Sequence, residues 1–77
     1  PASLSRIRLI HANVPGVLAR VNQVLADAGA NVDGQILSTS GATGYVLTDV
    51  SSPLDGAALA RLEALDSTIR LIVTPLR

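Results

Sequence analysis

Six short periodic segments of apolar residues fill a chain of only 77 residues, and their order limits the fold more than any other feature. Apolar residues at every second position predict a strand, and those at every third or fourth position predict a helix. The first segment, Arg6–Ile10, nearly alternates and directs Ile7 and Leu9 to the core. The second, Pro15–Ala28, has helical spacing, with Pro15 at the first helical position and Gly29 after the end.

The rest of the chain predicts two strands, a helix and a last strand. The strands are expected at Asn31–Thr39, Tyr45–Val50 and Thr68–Thr74. Turn residues at 40–44 separate the first two of these strands. Ser52 and Asp55 have the spacing of a capping box, which predicts a helix that begins near Ser52. The residues expected to face the core in the last two elements are Ala58, Leu59, Leu62, Leu65, Ile69, Leu71 and Val73.

This β-α-β-β-α-β order predicts an α+β fold of the ferredoxin-like type, a four-stranded antiparallel sheet with both helices on one face. The expected strand order is 4-1-3-2, with strand two at an edge. The helix-free face of the sheet is expected to carry Arg8, Ile10, Leu37, Tyr45, Leu47 and Ile72. That set is apolar for an open face, which leaves two interpretations: scattered surface residues, or contact with another domain or subunit.

Composition excludes several classes of function. Six arginines balance six acidic residues, and Tyr45 is the only aromatic residue, so neither a basic face nor a base-stacking surface for nucleic acid is expected. No apolar run approaches the roughly 20 residues of a membrane span. Cysteine is absent, so disulfides and thiolate sites are excluded. We expect one small domain, residues 1–77, cut from a larger protein and stabilised by oligomerisation.

The segment after strand one carries the candidate binding residues. Backbone N–H groups at a helix start attract anions, and a glycine there lets a ligand approach the backbone. His11 and Asn13 would flank that site with polar groups. The candidate ligand-binding residues are therefore His11, Asn13, Pro15, Gly16, Val17 and Leu18. A small zwitterion, with its carboxylate on the N–H groups, suits such a pocket.

Structural roles explain the same residues equally well at this point. Asn13 can organise the turn, and His11 can be a partly buried residue at the strand end. Pro15 and Gly16 can serve the turn alone, and Asn31 can simply follow the helix exit.

Enzyme signatures are weak. The single histidine cannot build a usual zinc site, and no cysteine or serine constellation suggests a nucleophile. Asp33 and Asp49 are expected to cap or solvate strand edges rather than to bind metal. An acylphosphatase of this fold would carry an Arg in the loop after strand one, and that loop has none.

Three segments resemble the ACT domain family. They are His-Ala-Asn-Val-Pro-Gly-Val-Leu at 11–18, Asn-Val at 31–32 and Gly-Tyr-Val-Leu-Thr-Asp-Val at 44–50. Within that family they are most similar to the serine-binding C-terminal domains of D-3-phosphoglycerate dehydrogenases, over about residues 6–71. Serine dehydratases carry a similar His and Pro-Gly segment.

The resemblance implies a non-catalytic regulatory domain that binds L-serine for feedback inhibition of serine biosynthesis. His11, Asn13 and Asn31 match the family's ligand residues, with serine held between two domains whose sheets join side by side in a homodimer. It also implies no cofactor in this domain, NAD in a parent dehydrogenase, and a cytoplasmic location. Two other functions remain open: a ligand-free dimerisation module, and the small acylphosphatase-type enzyme that the missing Arg disfavours.

Overall fold

A computed structural model describes residues 4–76 of the chain. The order of its elements is the expected one: β1 Ser5–Ala12, α1 Val17–Asp27, β2 Val32–Ser40, β3 Thr43–Val50, α2 Gly56–Ala64 and β4 Thr68–Pro75. The four strands form one antiparallel sheet in the order β2-β3-β1-β4. This confirms the predicted ferredoxin-like arrangement, including the position of β2 at an edge.

The core lies between the sheet and the two helices. Ile7 and Leu9 of β1 are 2% and 1% exposed, as the alternation predicted. The other buried apolar residues of the core are Val17, Val21, Val24, Leu25, Val46, Val50, Ala58 and Leu62. Leu18, Leu65 and Leu71 are partly buried against them. These positions repeat with a period of two in β1 and β3 and of three or four in α1 and α2, so each of these four elements buries one side. The edge strands β2 and β4 contain no buried residue.

A bulge in β2 overturns the prediction for its second half. Val32 pairs with Val50, but Gly34 pairs with Asp49, so Asp33 is an extra residue in the strand. One extra residue reverses the side on which every later side chain lies. Leu37 therefore pairs with the buried Val46 on the helix side of the sheet, not on the open face. Ile36 takes its place on the open face and is 61% exposed.

Strand β4 departs from the prediction at Ile69 and in the burial of Val73. Ile10 pairs with Arg70 but His11 pairs with Thr68, so Ile69 is an extra residue in the strand and leaves the predicted alternation. Leu71 packs against the core, but Ile69 and Val73 are 59% and 37% exposed. Val73 pairs with the buried Ile7, so both point to the helix side. β4 is the second edge of the sheet, and the helices do not cover its outer part.

The ends of several elements also differ from the sequence prediction. Pro15 is not the first residue of α1; it lies in a turn, and Gly16 is the residue before the helix. β1 continues through His11 and Ala12, which were predicted to be loop. Asp55, not Ser52, caps α2, because its carboxylate Oδ1 accepts a hydrogen bond of 2.8 Å from the N–H of Ala58.

Asp49 lies on the open face, where it pairs with Arg6 instead of capping a strand. The guanidinium Nε and Nη2 of Arg6 donate to its two carboxylate oxygens at 2.8 and 2.9 Å. This contact lowers the pKa of Asp49 below its ordinary value, mainly through the hydrogen bonds of Arg6. The pair ties β1 to β3.

Acid is therefore expected to weaken the fold partly through Asp49. A carboxyl group with a lower pKa in the folded state stabilises the protein above its unfolded pKa, and this contribution is lost as the pH falls through the folded pKa. Asp49→Asn should flatten the fall in urea midpoint below about pH 4. Glu63→Gln, at an exposed position of α2, is the matched control. An acid-sensitive midpoint that Asp49→Asn leaves unchanged would contradict this prediction.

Candidate functional site

His11, the residue before the end of β1, is a buried polar residue. Its side chain is 2% exposed, although it is polar, and the pairing of β1 with β4 shifts register between Ile10 and His11. The residue pairs with Gly44 of β3 on the helix side of the sheet. The alternation of β1, in which Ile7, Leu9 and His11 are buried, therefore places the imidazole on the helix side, close to the turn before α1.

The hydrogen bond of His11 fixes the role of each ring nitrogen. Nδ1 lies 2.8 Å from the carbonyl oxygen of Ala12, and a carbonyl oxygen only accepts, so Nδ1 carries the hydrogen. In the neutral ring, Nε2 is then an acceptor. Within residues 4–76, Nε2 is a buried side-chain atom with no hydrogen-bond partner. An unsatisfied buried group costs roughly 1–3 kcal/mol, and such a group calls for a functional explanation.

The start of α1 lies beside this ring without a side-chain cap. Gly16 precedes the helix with φ 87°, a left-handed conformation that glycine adopts without strain, and it supplies no side chain to the first N–H groups. No acidic residue lies in the first turn of α1. These free N–H groups and the helix dipole favour an anion.

A cavity of about 250 Å³, which we call the α1 pocket, joins these features. It is lined by all six residues that the sequence predicted for this region: His11, Asn13, Pro15, Gly16, Val17 and Leu18. Val14, Ala19, Leu37 and Thr39 complete it. Leu37 was missed because only the bulge brings it to this side, and the pattern of apolar residues gives no signal of a bulge. The volume suits a ligand smaller than the drug-sized molecules that fill roughly 300–1,000 Å³.

Asn13 has a visible structural role in the wall of the α1 pocket. Its Nδ2 donates to the carbonyl oxygen of Gly41 at 3.0 Å, and its backbone N–H donates to that of Ala42 at 2.9 Å. Both bonds tie the segment before α1 to the turn between β2 and β3. The side chain is exposed, and its amide oxygen remains an acceptor at the pocket.

Asn31 does not line the α1 pocket. It precedes β2, whereas the pocket residue Thr39 lies near the other end of that strand, eight residues away or about 26 Å. Its Nδ2 donates to Ser51 Oγ at 2.7 Å and to Asp33 Oδ1 at 3.2 Å. Asn31 therefore cannot bind the same ligand molecule as Asn13 of its own chain.

A second cavity, of about 350 Å³, lies on the other side of Val14. Arg20, Asp66 and the buried Ser67 contribute polar groups to it. Apart from Val14, its residues come from α1, the last residue of α2 and the turn between α2 and β4, and none was a predicted site residue. Among the described residues, no group of three or more His, Cys, Asp or Glu side chains could hold a metal ion. None of the helices in this part is long and apolar enough to cross a membrane.

In a comparison with known sequences, residues 7–70 match the family profile described as "AHAS small subunit-like ACT domain". D-3-phosphoglycerate dehydrogenase of Escherichia coli K12 is 42% identical over 67 residues, which are 84% of this chain. The enzyme of the same name from Haemophilus influenzae is 38% identical over 65 residues. The chain spans about 16% of the length of these relatives.

Solved structures show the same fold. The ligand-free regulatory subunit of aspartate kinase from Thermus thermophilus has a TM-score of 0.77 and 29% identity, covering 97% of this chain and 52% of that one. The ACT domain of GTP pyrophosphokinase from Chlorobium tepidum has a TM-score of 0.75 at 12% identity, over 94% and 97% of the two chains. The second likeness concerns the fold alone.

Proposed function

This chain belongs to the ACT domain family, and from that premise we propose that it is a regulatory module that binds L-serine at the interface of a homodimer. One observation carries the proposal. His11, whose buried Nε2 has no partner among the described residues, lines a cavity of amino-acid size together with the uncapped start of α1. The relatives that share 38–42% identity are named D-3-phosphoglycerate dehydrogenase, the enzymes whose C-terminal domains this sequence resembles. That likeness supports serine as the effector and an NAD-dependent parent enzyme.

The ligand's charged groups match the polar groups of the α1 pocket. We assign the carboxylate to the backbone N–H groups at the start of α1, where the helix dipole is favourable. Nε2 of His11 accepts a hydrogen bond from a ligand donor, either the ammonium or the hydroxyl. The apolar wall formed by Leu37, Val17 and Leu18 limits the size of the side chain.

The free edge of β2 supplies the second half of the site. Three apolar side chains of this strand are exposed: Ile36, Leu37 and Val32, at 61%, 47% and 41%. An edge strand that exposes apolar side chains is a surface on which another chain can pair. Antiparallel pairing of β2 with its copy about a twofold axis at Gln35 and Ile36 sets residue 31 of one chain opposite residues 40–41 of the other. The partner's Asn31 then lies at the α1 pocket, next to Asn13, and two equivalent sites result.

L-Serine is expected to raise the melting temperature of the domain. At tenfold excess over its dissociation constant, a ligand that binds only the folded state adds about 1.4 kcal/mol. For a domain of this size that corresponds to roughly 6–11 °C. L-Alanine and L-leucine both lack the hydroxyl that serine offers to the polar groups of the pocket, so both should shift the midpoint less. Differential scanning calorimetry at matched ligand concentrations measures the shifts.

Sedimentation of the same samples separates this proposal from its alternative. An intact dimer that shows no shift at tens of millimolar L-serine would favour a ligand-free dimerisation module. An equal shift with L-leucine would contradict serine as the effector while leaving the α1 pocket as an amino-acid site.

A further inference from the structure

We propose that Gly44 is a positioning residue of the effector site, because its missing side chain is what allows the buried His11 ring to lie against β3. This inference rests on the proposed function. The sequence predicted that Gly44 belongs to the turn at 40–44. It does not line the α1 pocket. Gly44 lies instead within β3, and it is buried.

The sheet register places Gly44 between two residues of the α1 pocket. It pairs with His11 of β1 on one side and with Thr39 of β2 on the other. Directly opposite residues in an antiparallel sheet have Cβ atoms only about 4.5–5.5 Å apart. A side chain at position 44 would therefore stand in the gap between these two pocket residues.

The His11 ring occupies the space of the missing side chain. A Cβ built on Gly44 would overlap the ring at Cε1 and lie 2.7 Å from Nε2. Separations under 3.0 Å force something to move, and the neighbour here is a rigid ring, 2% exposed, rather than the far end of a flexible chain. Since Gly44 has no positive φ, ordinary residues fit its backbone, so the ring contact is what requires glycine.

Moving the ring would change the chemistry of the α1 pocket. The present orientation holds Nδ1 on the Ala12 carbonyl and thereby leaves Nε2 as the acceptor. A ring displaced by a methyl group at position 44 loses that hydrogen bond, and with it the fixed tautomer. The ligand then loses its partner although every pocket residue is unchanged.

Gly44→Ala is the test, with Gly56→Ala as the matched control. A Cβ at Gly56 meets nothing within 4 Å and its φ is ordinary, so that variant should bind L-serine like the wild type. Gly44→Ala should weaken binding at least tenfold in titration calorimetry well below its melting temperature, as expected for one lost hydrogen bond to a charged ligand. The NMR signals of the His11 ring nitrogens should shift in the ligand-free variant.

A double variant separates positioning from general damage. If Gly44 acts through the ring, adding Gly44→Ala to His11→Ala should cause no further loss of affinity, because no ring remains to be displaced. If Gly44→Ala alone fails to fold, the double variant should fold again, since the removed ring vacates the space. An additive loss, an unfolded double variant, or an affinity of Gly44→Ala within twofold of wild type would overturn the proposal. If the wild type binds no serine, the proposed function is wrong instead. The NMR signals of the His11 ring in Gly44→Ala then test by themselves whether Gly44 fixes the position of that ring.

Discussion

Ile36→Lys is expected to turn the dimer into a monomer at micromolar concentration. In the proposed pairing, Ile36 lies next to the twofold axis, so each dimer loses two apolar side chains and gains two facing ammonium groups. Partial burial of two isoleucines is worth roughly 2 kcal/mol, and like charges opposite one another add repulsion. The dissociation constant should rise about thirtyfold or more, which sedimentation equilibrium measures directly.

The other edge of the sheet offers a matched control. Ile69 of β4 is 59% exposed, against 61% for Ile36, and it also lies on an edge strand. Ile69→Lys should leave the dimer intact while changing charge and exposed apolar area by the same amount. If Ile69→Lys dissociates the dimer and Ile36→Lys does not, β4 is the paired edge and the composition of the site proposed above is wrong.

Asn13→Ala and Asn31→Ala are each expected to weaken serine binding by about ten- to a hundredfold. Each removes a hydrogen bond to a charged ligand, worth roughly 1.5–3 kcal/mol. Because Asn13 also bonds to the Gly41 carbonyl, its variant alone does not separate a binding role from support of the turn. Asn31, at the far end of β2, has no such contact with the α1 pocket of its own chain.

A mixed dimer of the two variants resolves the question. One Asn13→Ala chain paired with one Asn31→Ala chain holds one intact site and one site that lacks both side chains. Calorimetry should then give about half the wild-type stoichiometry at near-native affinity. Two equally weakened sites would mean that both residues serve one chain's pocket, a result at odds with their separation along β2.

Periodic patterns predicted the order of the elements and most of the core because burial of one face imposes those periods. Val46, Thr48 and Val50, for example, are all buried as the alternation in β3 requires. The patterns failed where one extra residue in a strand changes the side on which its side chains lie. Nothing local marks Asp33 in β2 or Ile69 in β4 as an extra residue of its strand.

The candidate site was predictable in part for the same reason. Residues 11–18 are contiguous, so a strand end and a helix start necessarily bring them together around the α1 pocket. Leu37 and Thr39 reach it only through the pairing of β2 with β3, and Gly44 only through its contact with the His11 ring. The resemblance named Asn31, but a partner chain is needed to bring it near the others.

The bulge at Asp33 separates the length of β2 from the identity of the side chains that reach the site. Deleting Asp33 would leave Val32 opposite Val50 and Gly34 opposite Asp49, so the ladder would become regular and the later pairs would be unchanged. Leu37 would stay in the α1 pocket and Ile36 on the open face. The deletion would instead remove the carboxylate that accepts a hydrogen bond from Nδ2 of Asn31, so the bulge bears on the position of Asn31 rather than on the lining of the α1 pocket.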